Sequence, residues 1–409
     1  MDSPVKGWNP PPVRGVFVGH HPYDGISLDE LRRRRSMKWR LYPPDVLPVW
    51  VAEMDFPLAE PIRAALADMI ARSDTGYAST ERLPEAYAAF AAGRWGHALD
   101  PGWMLGVPDV MQGLCSMMRI VTKPGDPIVV HTPAYPPFFT GIASVERRFV
   151  AAPLARRGDG RVELDLEVLE DRFRDGARTY LLNNPHNPTG RVFARPELEA
   201  LAELCDRYGV LVLADEIHAP LTYPESTFTP FAAIGAESSR RSLSFTSASK
   251  GWNLPGLKCA LVVAHDEASW GVVEQIPFET QLGRSILGVS ASIAAFTEGM
   301  PWLDDTLGYL DASRRLLADL LAERLPTVGC AIPEATYLAW LDCRALGLGD
   351  DPAAAFLERG RVAAYPGPKF GADGNGFVRF NFATARPIIA DAVDRMAAAA
   401  PHDVTHPLL

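Results

Sequence analysis

The chain has 409 residues, of which 47% are hydrophobic and 22% are charged. This length suits two domains, and the composition is that of a globular protein, which excludes a disordered chain and a disulfide-rich miniprotein. The formal net charge is −10. An acidic surface argues against binding to nucleic acids or anionic membranes, because both need a positive field.

The cysteines and the start of the chain bear on the compartment. The five cysteines are widely spaced and form no C-x-x-C pair, which favours reduced thiols over a disulfide framework or a zinc site. No run of about 18 consecutive apolar residues occurs, so no transmembrane helix is predicted. Met-Asp-Ser-Pro at positions 1–4 lacks the order of a signal peptide. We therefore expect a cytoplasmic protein. His20 and His21 have no further ligands at metal spacing, so we expect no metal.

The first 45 residues are rich in proline and glycine and contain a basic run, Arg32 to Arg35 followed by Lys38 and Arg40. Such a run is typical of a solvated helix face rather than of a polyanion site. We expect residues 1–45 to form an N-terminal segment that joins a small domain.

From residue 46 to about 265, short apolar runs alternate with longer amphipathic ones. The apolar runs are rich in Val, Leu and Ile, as buried strands of a parallel sheet are. They cover residues 127–131, 179–182, 210–214 and 243–246. Between the second and third of these runs, residues 196–208 carry apolar side chains at helix spacing. The alternation predicts an α/β fold whose large domain, residues 46–289, holds a doubly wound, mostly parallel sheet.

A long amphipathic stretch, about 290–325, opens the C-terminal part. Two strand-like segments, 337–342 and 377–382, follow it with helices between and beyond. This order predicts a smaller α+β domain over residues 290–409.

The motif Ser-Ala-Ser-Lys at 247–250 is the best candidate for chemistry. It follows a predicted strand, where Lys250 would face the ligand crevice of an open sheet. A lysine that forms a Schiff base, with hydroxyls and a second cation (Lys258) to hold a phosphate, is what pyridoxal phosphate needs. Taken alone, the lysine could be an ordinary surface residue. The motif also matches the Ser-x-x-Lys nucleophile of penicillin-binding proteins, but their Ser-Asp-Asn and Lys-Thr-Gly tripeptides are absent.

Two further polar motifs follow predicted strands. Asp-Glu-Ile-His at 215–218 places an acid where it could keep a pyridine nitrogen protonated, although an N-cap or a solvated acid is the simpler interpretation. The turn Asn-Asn-Pro-His-Asn-Pro-Thr-Gly at 183–190 supplies neutral amide donors that could meet a phenolate oxygen.

Three weaker signals complete the set. Tyr135 follows a predicted strand and could stack on a flat ring, or simply pack in the core. The segment 106–113 opens a helix whose first amides could bind phosphate. Arg379 lies in an apolar strand-like run, where a buried guanidinium needs a carboxylate. That carboxylate is either a substrate's or an internal Asp or Glu.

Together these segments resemble the fold type I pyridoxal-phosphate enzymes of the class I/II aminotransferase group. They are most similar to the MalY/PatB branch of cystathionine β-lyase-like C–S lyases. The resemblance runs from about residue 15 to 400 and is carried by the segments 36–39, 48–56, 184–190, 215–218, 247–250 and 334–338.

The resemblance implies a role for each matching residue. Lys250 would form the Schiff base and exchange a proton at the substrate Cα, Asp215 would hold the ring nitrogen, and Arg379 would bind the substrate α-carboxylate. Tyr77 would reach the phosphate of a neighbouring subunit, which implies a homodimer. The other cofactor contacts would come from Val110, Met111, Tyr135, Asn187, Ile217, His218, Ser247, Ser249 and Lys258.

The implied activity is cleavage of an L-cysteine S-conjugate to thiol, pyruvate and ammonia. The chain departs from the branch at Glu53, Pro220 and Trp252, and in the phosphate segment at Asp109 and Gln112. An aminotransferase, a decarboxylation coupled to oxidative deamination, and a non-catalytic regulator of the same fold therefore remain alternatives. The sequence leaves open whether Trp252 or Arg284 reaches the substrate.

Overall fold

The computed structural model describes residues 21–80 and 82–401. The strands of this part, β1 to β15 in chain order, are Leu47–Pro48, Met104–Val107, Pro127–Thr132, Arg148–Pro153, Ala155–Arg156, Val162–Glu163, Thr179–Asn183, Leu211–Asp215, Leu243–Thr246, Ala260–Val263, Gly329–Cys330, Leu338–Asp342, Val362–Ala363, Tyr365–Pro366 and Phe377–Asn381. The helices, α1 to α16, are Leu28–Leu31, Met37–Arg40, Glu60–Ala71, Leu83–Trp95, Val110–Val121, Pro136–Ser144, Leu166–Arg174, Arg195–Tyr208, Glu237–Arg240, Ala248–Gly251, Glu267–Val273, Phe278–Leu282, Ile286–Glu298, Met300–Arg324, Pro352–Gly360 and Arg386–Ala399.

Seven strands form the large sheet, in the order β2-β10-β9-β8-β7-β3-β4. All neighbours are parallel except β10, which is antiparallel to both β2 and β9. The sheet is thus mostly parallel, as the sequence predicts, and the α/β fold class is confirmed. Because the chain leaves β3 for β4 on one side and later returns with β7 on the other, the strand order reverses between β3 and β7. In open α/β sheets a ligand crevice lies at such a point.

Each central strand of this sheet is buried on both faces. One apolar cluster includes Leu181 and Phe245 and packs under α5, while another includes Tyr180 and Leu201 and packs under α8. Helices on both faces explain why these strands read as continuous apolar runs rather than alternating ones. The loops and short turns at the carboxyl ends of these strands carry the polar motifs.

The C-terminal part forms a second sheet, in the order β11-β12-β15-β14. Strands β12 and β15 pair antiparallel, with Trp340 opposite Arg379. The long amphipathic stretch is two helices, α13 and α14, rather than one. The predicted boundaries of the three chain segments stay a prediction.

The N-terminal segment corrects one expectation, because its basic run is not simply a solvated face. Lys38 is only 2% exposed, and its ammonium lies 2.7 Å from Asp55 Oδ2. The preceding arginines are exposed or half-buried. A four-residue helix, α2, turns Lys38 inward, which no periodicity over so short an element could reveal.

Two remaining expectations concern the compartment and metals. Among the described helices none is by itself long and apolar enough to cross a membrane; α13 and α14 meet that test only together, with an 80° bend between them. All five cysteines are unpaired. The signal-peptide and metal expectations partly rest on residues 1–4 and His20, which lie outside the described residues. The neighbouring His21 is described, and its Nε2 lies 3.1 Å from Asp305 Oδ2.

Candidate active site

A cleft opens at the carboxyl ends of β3, β7, β8 and β9. The sequence-predicted contacts that line it are Val110, Met111, Tyr135, Asn187, Asp215, Ile217, His218, Ser247, Ser249, Lys250 and Lys258.

Lys250 lies on α10, the single helical turn that follows β9. Ser247 begins this turn, because its hydroxyl accepts a hydrogen bond from the Ser249 amide at 3.0 Å. The Lys250 amine donates to the carbonyl oxygen of Ala52 at 2.9 Å. Burial, and then the nearby Arg379 guanidinium, lower the pKa of Lys250 to about 8. A lysine with this pKa has a substantial neutral fraction near neutral pH and can act as a nucleophile and base.

Asp215 ends β8 and is buried. Its Oδ1 accepts a hydrogen bond from the amide of Ile217 at 3.2 Å. Burial raises the pKa of this carboxyl to about 7, against the lowering effects of that amide and of Lys250. A buried carboxyl with so little hydrogen bonding is costly unless a further donor reaches it. A protonated ring nitrogen is such a donor.

Asn187 and His218 line the same cleft as Asp215. The side-chain oxygen of Asn187 accepts from Arg379 Nη1 at 2.9 Å, which leaves the NH₂ of this amide to donate into the cleft. His218 Nδ1 is buried and has no hydrogen-bond partner among residues 21–80 and 82–401. Burial lowers the pKa of His218 well below its ordinary value, so the ring is neutral. Both side chains are suited to a phenolate oxygen.

The opposite end of the cleft is built to hold an anion. The twelve-residue helix α5 begins here, and the amides of Val110 and Met111 are among those that a helix start leaves without an intrahelical partner. The atypical Asp109 caps α5 by accepting from the Gln112 amide at 2.8 Å. Its other oxygen lies 3.0 Å from Lys258 Nζ. Lys258 therefore offsets the charge of Asp109, and the unusual acid remains compatible with a phosphate.

Arg379, on β15, is buried and does not itself line the cleft, but it donates to Asn187, which does. Its guanidinium lies 4.8 Å from the ring centre of Tyr365 and 5.1 Å from that of Phe370. It donates to Asn187 and to the carbonyl oxygen of Trp50, and its Nε has no partner within the described residues. In this part of the chain Arg379 has no ion pair, which disfavours the internal-acid alternative. Burial lowers its pKa to about 10. A carboxylate ligand would supply the missing charge.

The cleft is also not lined by Tyr77, Trp252 or Arg284. Tyr77 is 88% exposed. Trp252 points into the core, where it packs against Phe90 and donates to the carbonyl oxygen of Gly299 at 2.9 Å. Arg284 donates to the carbonyl oxygen of Gly106 in β2. Trp252 therefore supports the scaffold and does not shape the pocket.

Sequence reasoning assigned no role to Ala52 or Tyr337. The carbonyl oxygen of Ala52 also accepts a hydrogen bond from the Tyr337 hydroxyl, at 3.1 Å. Ala52 acts through a backbone atom, which leaves no signal in the sequence. Tyr337 lies more than eighty residues from Lys250 along the chain, so only folding joins them.

Pyridoxal phosphate fits this set of residues on structural grounds. Asp215 is a buried acid that accepts from the Ile217 amide, His218 Nδ1 is buried and has no partner within residues 21–80 and 82–401, and Lys250 is a desolvated amine that lines the same cleft. The fold and the cleft thus define an enzyme of the fold type I pyridoxal-phosphate class.

Comparison with known proteins gives the family. The chain matches the model described as aminotransferase class I and II over residues 47–395, so it belongs to this family. A Mycobacterium leprae protein named as a candidate cystathionine beta-lyase is 44% identical over 402 residues, covering 93% of this chain and 98% of that protein. The cystathionine beta-lyase of Corynebacterium glutamicum is 35% identical over 377 residues, covering 91% and 98%.

A solved structure supports the same assignment. A candidate PLP-dependent beta-cystathionase from Corynebacterium diphtheriae superposes with a TM-score of 0.86 at 36% identity, covering 91% of this chain and 98% of the other. The family, the fold type and the cofactor class expected from the sequence are confirmed.

Proposed function

We propose that the protein is a pyridoxal-phosphate-dependent carbon–sulfur β-lyase. It cleaves an L-cysteine S-conjugate such as L-cystathionine, with one water, to a thiol, pyruvate and ammonia. The observation that carries the proposal is a cleft that contains the desolvated amine of Lys250 and also Asn187, whose side-chain oxygen accepts a hydrogen bond from the buried guanidinium of Arg379. The Corynebacterium relative named for this reaction supports the choice of lyase.

Each polar residue then has a defined task. Bound pyridoxal phosphate supplies an electron sink for charge that develops at the substrate Cα. Lys250 removes the Cα proton, since its lowered pKa leaves part of the amine neutral. Asp215 would accept a hydrogen bond from a protonated ring nitrogen, and the positive charge of that ring would stabilise the buried carboxylate.

Arg379 orients the substrate for proton removal. Its guanidinium stays positively charged at neutral pH, and its planar shape allows it to bind a carboxylate through two parallel hydrogen bonds. The rings of Tyr365 and Phe370 fix the plane of the guanidinium. With the carboxylate held there, the Cα–H bond faces Lys250, and the thiolate departs from Cβ as the C–S bond breaks.

The working unit is a homodimer with cofactor sites at the subunit interface. Tyr77 is outside the cleft of its own chain and almost fully exposed. The loop it belongs to reaches β2, where Thr80 and Arg284 meet next to Gly106. Exposed apolar side chains include Ile70, seven residues before Tyr77, and Phe278 and Leu282 on α12, which contacts β2. In the dimer Tyr77 contributes to the partner's phosphate site, and the reduced thiols suit a cytoplasmic address.

The test is a single-turnover absorbance trace of the purified protein mixed with L-cystathionine in the absence of any keto acid. We expect the absorbance of the bound cofactor to dip and return while pyruvate and ammonia accumulate in equal amounts. A trace that bleaches permanently, with no pyruvate, would show that the amino group stays on the cofactor. The chain would then be an aminotransferase, the alternative that the family match leaves open.

The dimer is tested separately with Tyr77→Phe and Tyr77→Ala. Light scattering on the full chain should give twice the monomer mass of 44.6 kDa. Both substitutions should weaken retention of pyridoxal phosphate during dialysis while leaving the dimer intact. A monomer that keeps its cofactor would contradict the shared site.

A further inference from the structure

One carbonyl oxygen in the cleft has two donors. Ala52 accepts from Lys250 Nζ at 2.9 Å and from the Tyr337 hydroxyl at 3.1 Å. Tyr337 precedes β12, is fully buried, and does not line the cleft. Its hydroxyl therefore does not contact the substrate. It donates a hydrogen bond to the same carbonyl oxygen that accepts from the free amine of Lys250.

The segment that carries this carbonyl is fixed from several sides. Asn253 accepts from the Met54 amide at 2.8 Å and donates to the Met54 carbonyl oxygen at 2.9 Å. Asn381 donates to the carbonyl oxygens of Val51 and Glu53, at 2.6 and 2.7 Å. The carbonyl groups on either side of Ala52 in the chain are thus both bound by the side-chain amide of Asn381. The Ala52 carbonyl between them is directed at Lys250.

We propose that Tyr337 is a positioning residue that tunes Lys250 through the Ala52 carbonyl. A neutral amine that donates one N–H to this oxygen is held with its lone pair directed elsewhere, available for a proton. The phenol O–H places a second positive end against the same oxygen and makes it a weaker acceptor. An ammonium group is stabilised more than a neutral amine by a strong acceptor, so Tyr337 favours the neutral, base-competent form.

Other charged groups also act on Lys250 and are unchanged by a substitution at position 337. Arg379 and Lys258 favour the neutral amine, and Asp215 and Glu53 favour the ammonium. His218, which faces Tyr337 with ring centres 6.4 Å apart, is neutral. Burial raises the pKa of Tyr337, so its hydroxyl keeps its proton and remains a donor.

The test measures Lys250 itself in the full-length, cofactor-free protein. The rate of reductive methylation of Lys250 by formaldehyde, followed on its peptide by mass spectrometry, gives the midpoint of its titration. In Tyr337→Phe this midpoint should rise by a few tenths of a pH unit to about one unit. The loaded variant should then lose about three- to tenfold in kcat at pH 7 with KM unchanged, since Tyr337 does not contact the substrate.

Tyr223→Phe is the matched control. Tyr223 is also fully buried and donates to a backbone carbonyl, that of Thr336, at 2.6 Å, but it has no contact with Ala52. An unchanged midpoint in Tyr337→Phe, or an equal rise in Tyr223→Phe, would overturn the proposal.

Replacement of Tyr337 by 3-fluorotyrosine keeps the shape and strengthens the donor, so it covers the case in which the Phe variant does not fold. The midpoint of Lys250 should then fall, and an unchanged or higher midpoint would overturn the proposal. The inference rests on the proposed role of Lys250. Because labelling needs neither cofactor nor substrate, its outcome is independent of whether the lyase assignment survives.

Discussion

Two lysine–aspartate pairs are buried in this protein, and they differ in whether the two charged groups contact each other. Lys38 and Asp55 are in direct contact at 2.7 Å, and both are fully engaged: Lys38 also donates to the Glu53 carbonyl oxygen, and Asp55 accepts from Trp39 Nε1 at 2.9 Å. Lys250 and Asp215 form no ion pair, and each has one backbone partner. Burial shifts the pKa of both toward the neutral form.

The difference separates a structural charge from a functional one. A buried ion pair whose hydrogen bonds are complete fixes the N-terminal segment against the rest of the protein. A buried acid and a buried amine with a single backbone partner each within residues 21–80 and 82–401 are unfavourable by themselves and become stable when a ligand supplies the missing groups. The second pair is therefore where chemistry is expected.

The largest effect should come from Lys250→Ala. Turnover should fall by more than about 10⁴-fold, because the variant loses both the cofactor linkage and the Cα base. Pyruvate release from L-cystathionine measures it. The melting temperature of the cofactor-free protein should not fall, since Lys250 makes no ion pair. Turnover by the Lys250→Ala variant at the wild-type rate would refute the mechanism.

The next largest effect should come from breaking the structural ion pair between Lys38 and Asp55. Asp55→Asn leaves Lys38 as an uncompensated buried charge and should lower the free energy of unfolding by about 3–5 kcal/mol. Urea denaturation of the cofactor-free protein measures this value. Adding Lys38→Met removes the stranded charge and should recover most of the loss. A double variant as unstable as the single one would show that the ion pair is not the cause.

Replacing the acid of the other pair, Asp215→Asn, should raise the free energy of unfolding of the cofactor-free protein instead of lowering it. The pKa of Asp215 is raised from 3.8 to about 7, so ionising it costs the folded state more than the unfolded state. The cofactor-free protein therefore loses stability as the pH rises from about 4 to 7, by up to about 4 kcal/mol. Asp215→Asn removes this loss and should be more stable than wild type at pH 8 and equal to it at pH 4.

The cofactor-loaded Asp215→Asn protein serves as the functional counterpart. It should turn over at least about 100-fold more slowly, because the ring nitrogen loses its anionic partner. Denaturation curves at the two pH values, and activity at one, separate the two effects. Equal stability of variant and wild type at pH 8 would contradict the assignment of Asp215 as a strained buried acid.

The smallest effect concerns Arg379→Lys. The positive charge remains, but the planar two-point contact and the stacking on Tyr365 are lost. We expect KM for L-cystathionine to rise roughly 10- to 100-fold, in line with the loss of one charge-assisted hydrogen bond. Pyruvate formation over a range of substrate concentrations measures it. An unchanged KM would indicate that the carboxylate binds elsewhere.

Much of the site could be expected from local sequence. Asp215, Lys250 and the turn before Gly190 each follow an apolar run, and parallel strands bring their carboxyl ends to one edge. The basic run was the opposite case. Lys38 looked like its exposed neighbours, because the acid that holds it, Asp55, is seventeen positions away and no periodic pattern links the two.

The sequence by itself determined the α/β class, the central strands of the large sheet and the polar residues that follow them, because short-range patterns of apolar and polar residues encode them. The tertiary structure decided which charges are satisfied and which wait for a ligand. Ala52 faces Lys250 only after segments about two hundred residues apart pack together. Burial and the positions of backbone carbonyls, which set the pKa of Lys250, exist only in the folded chain.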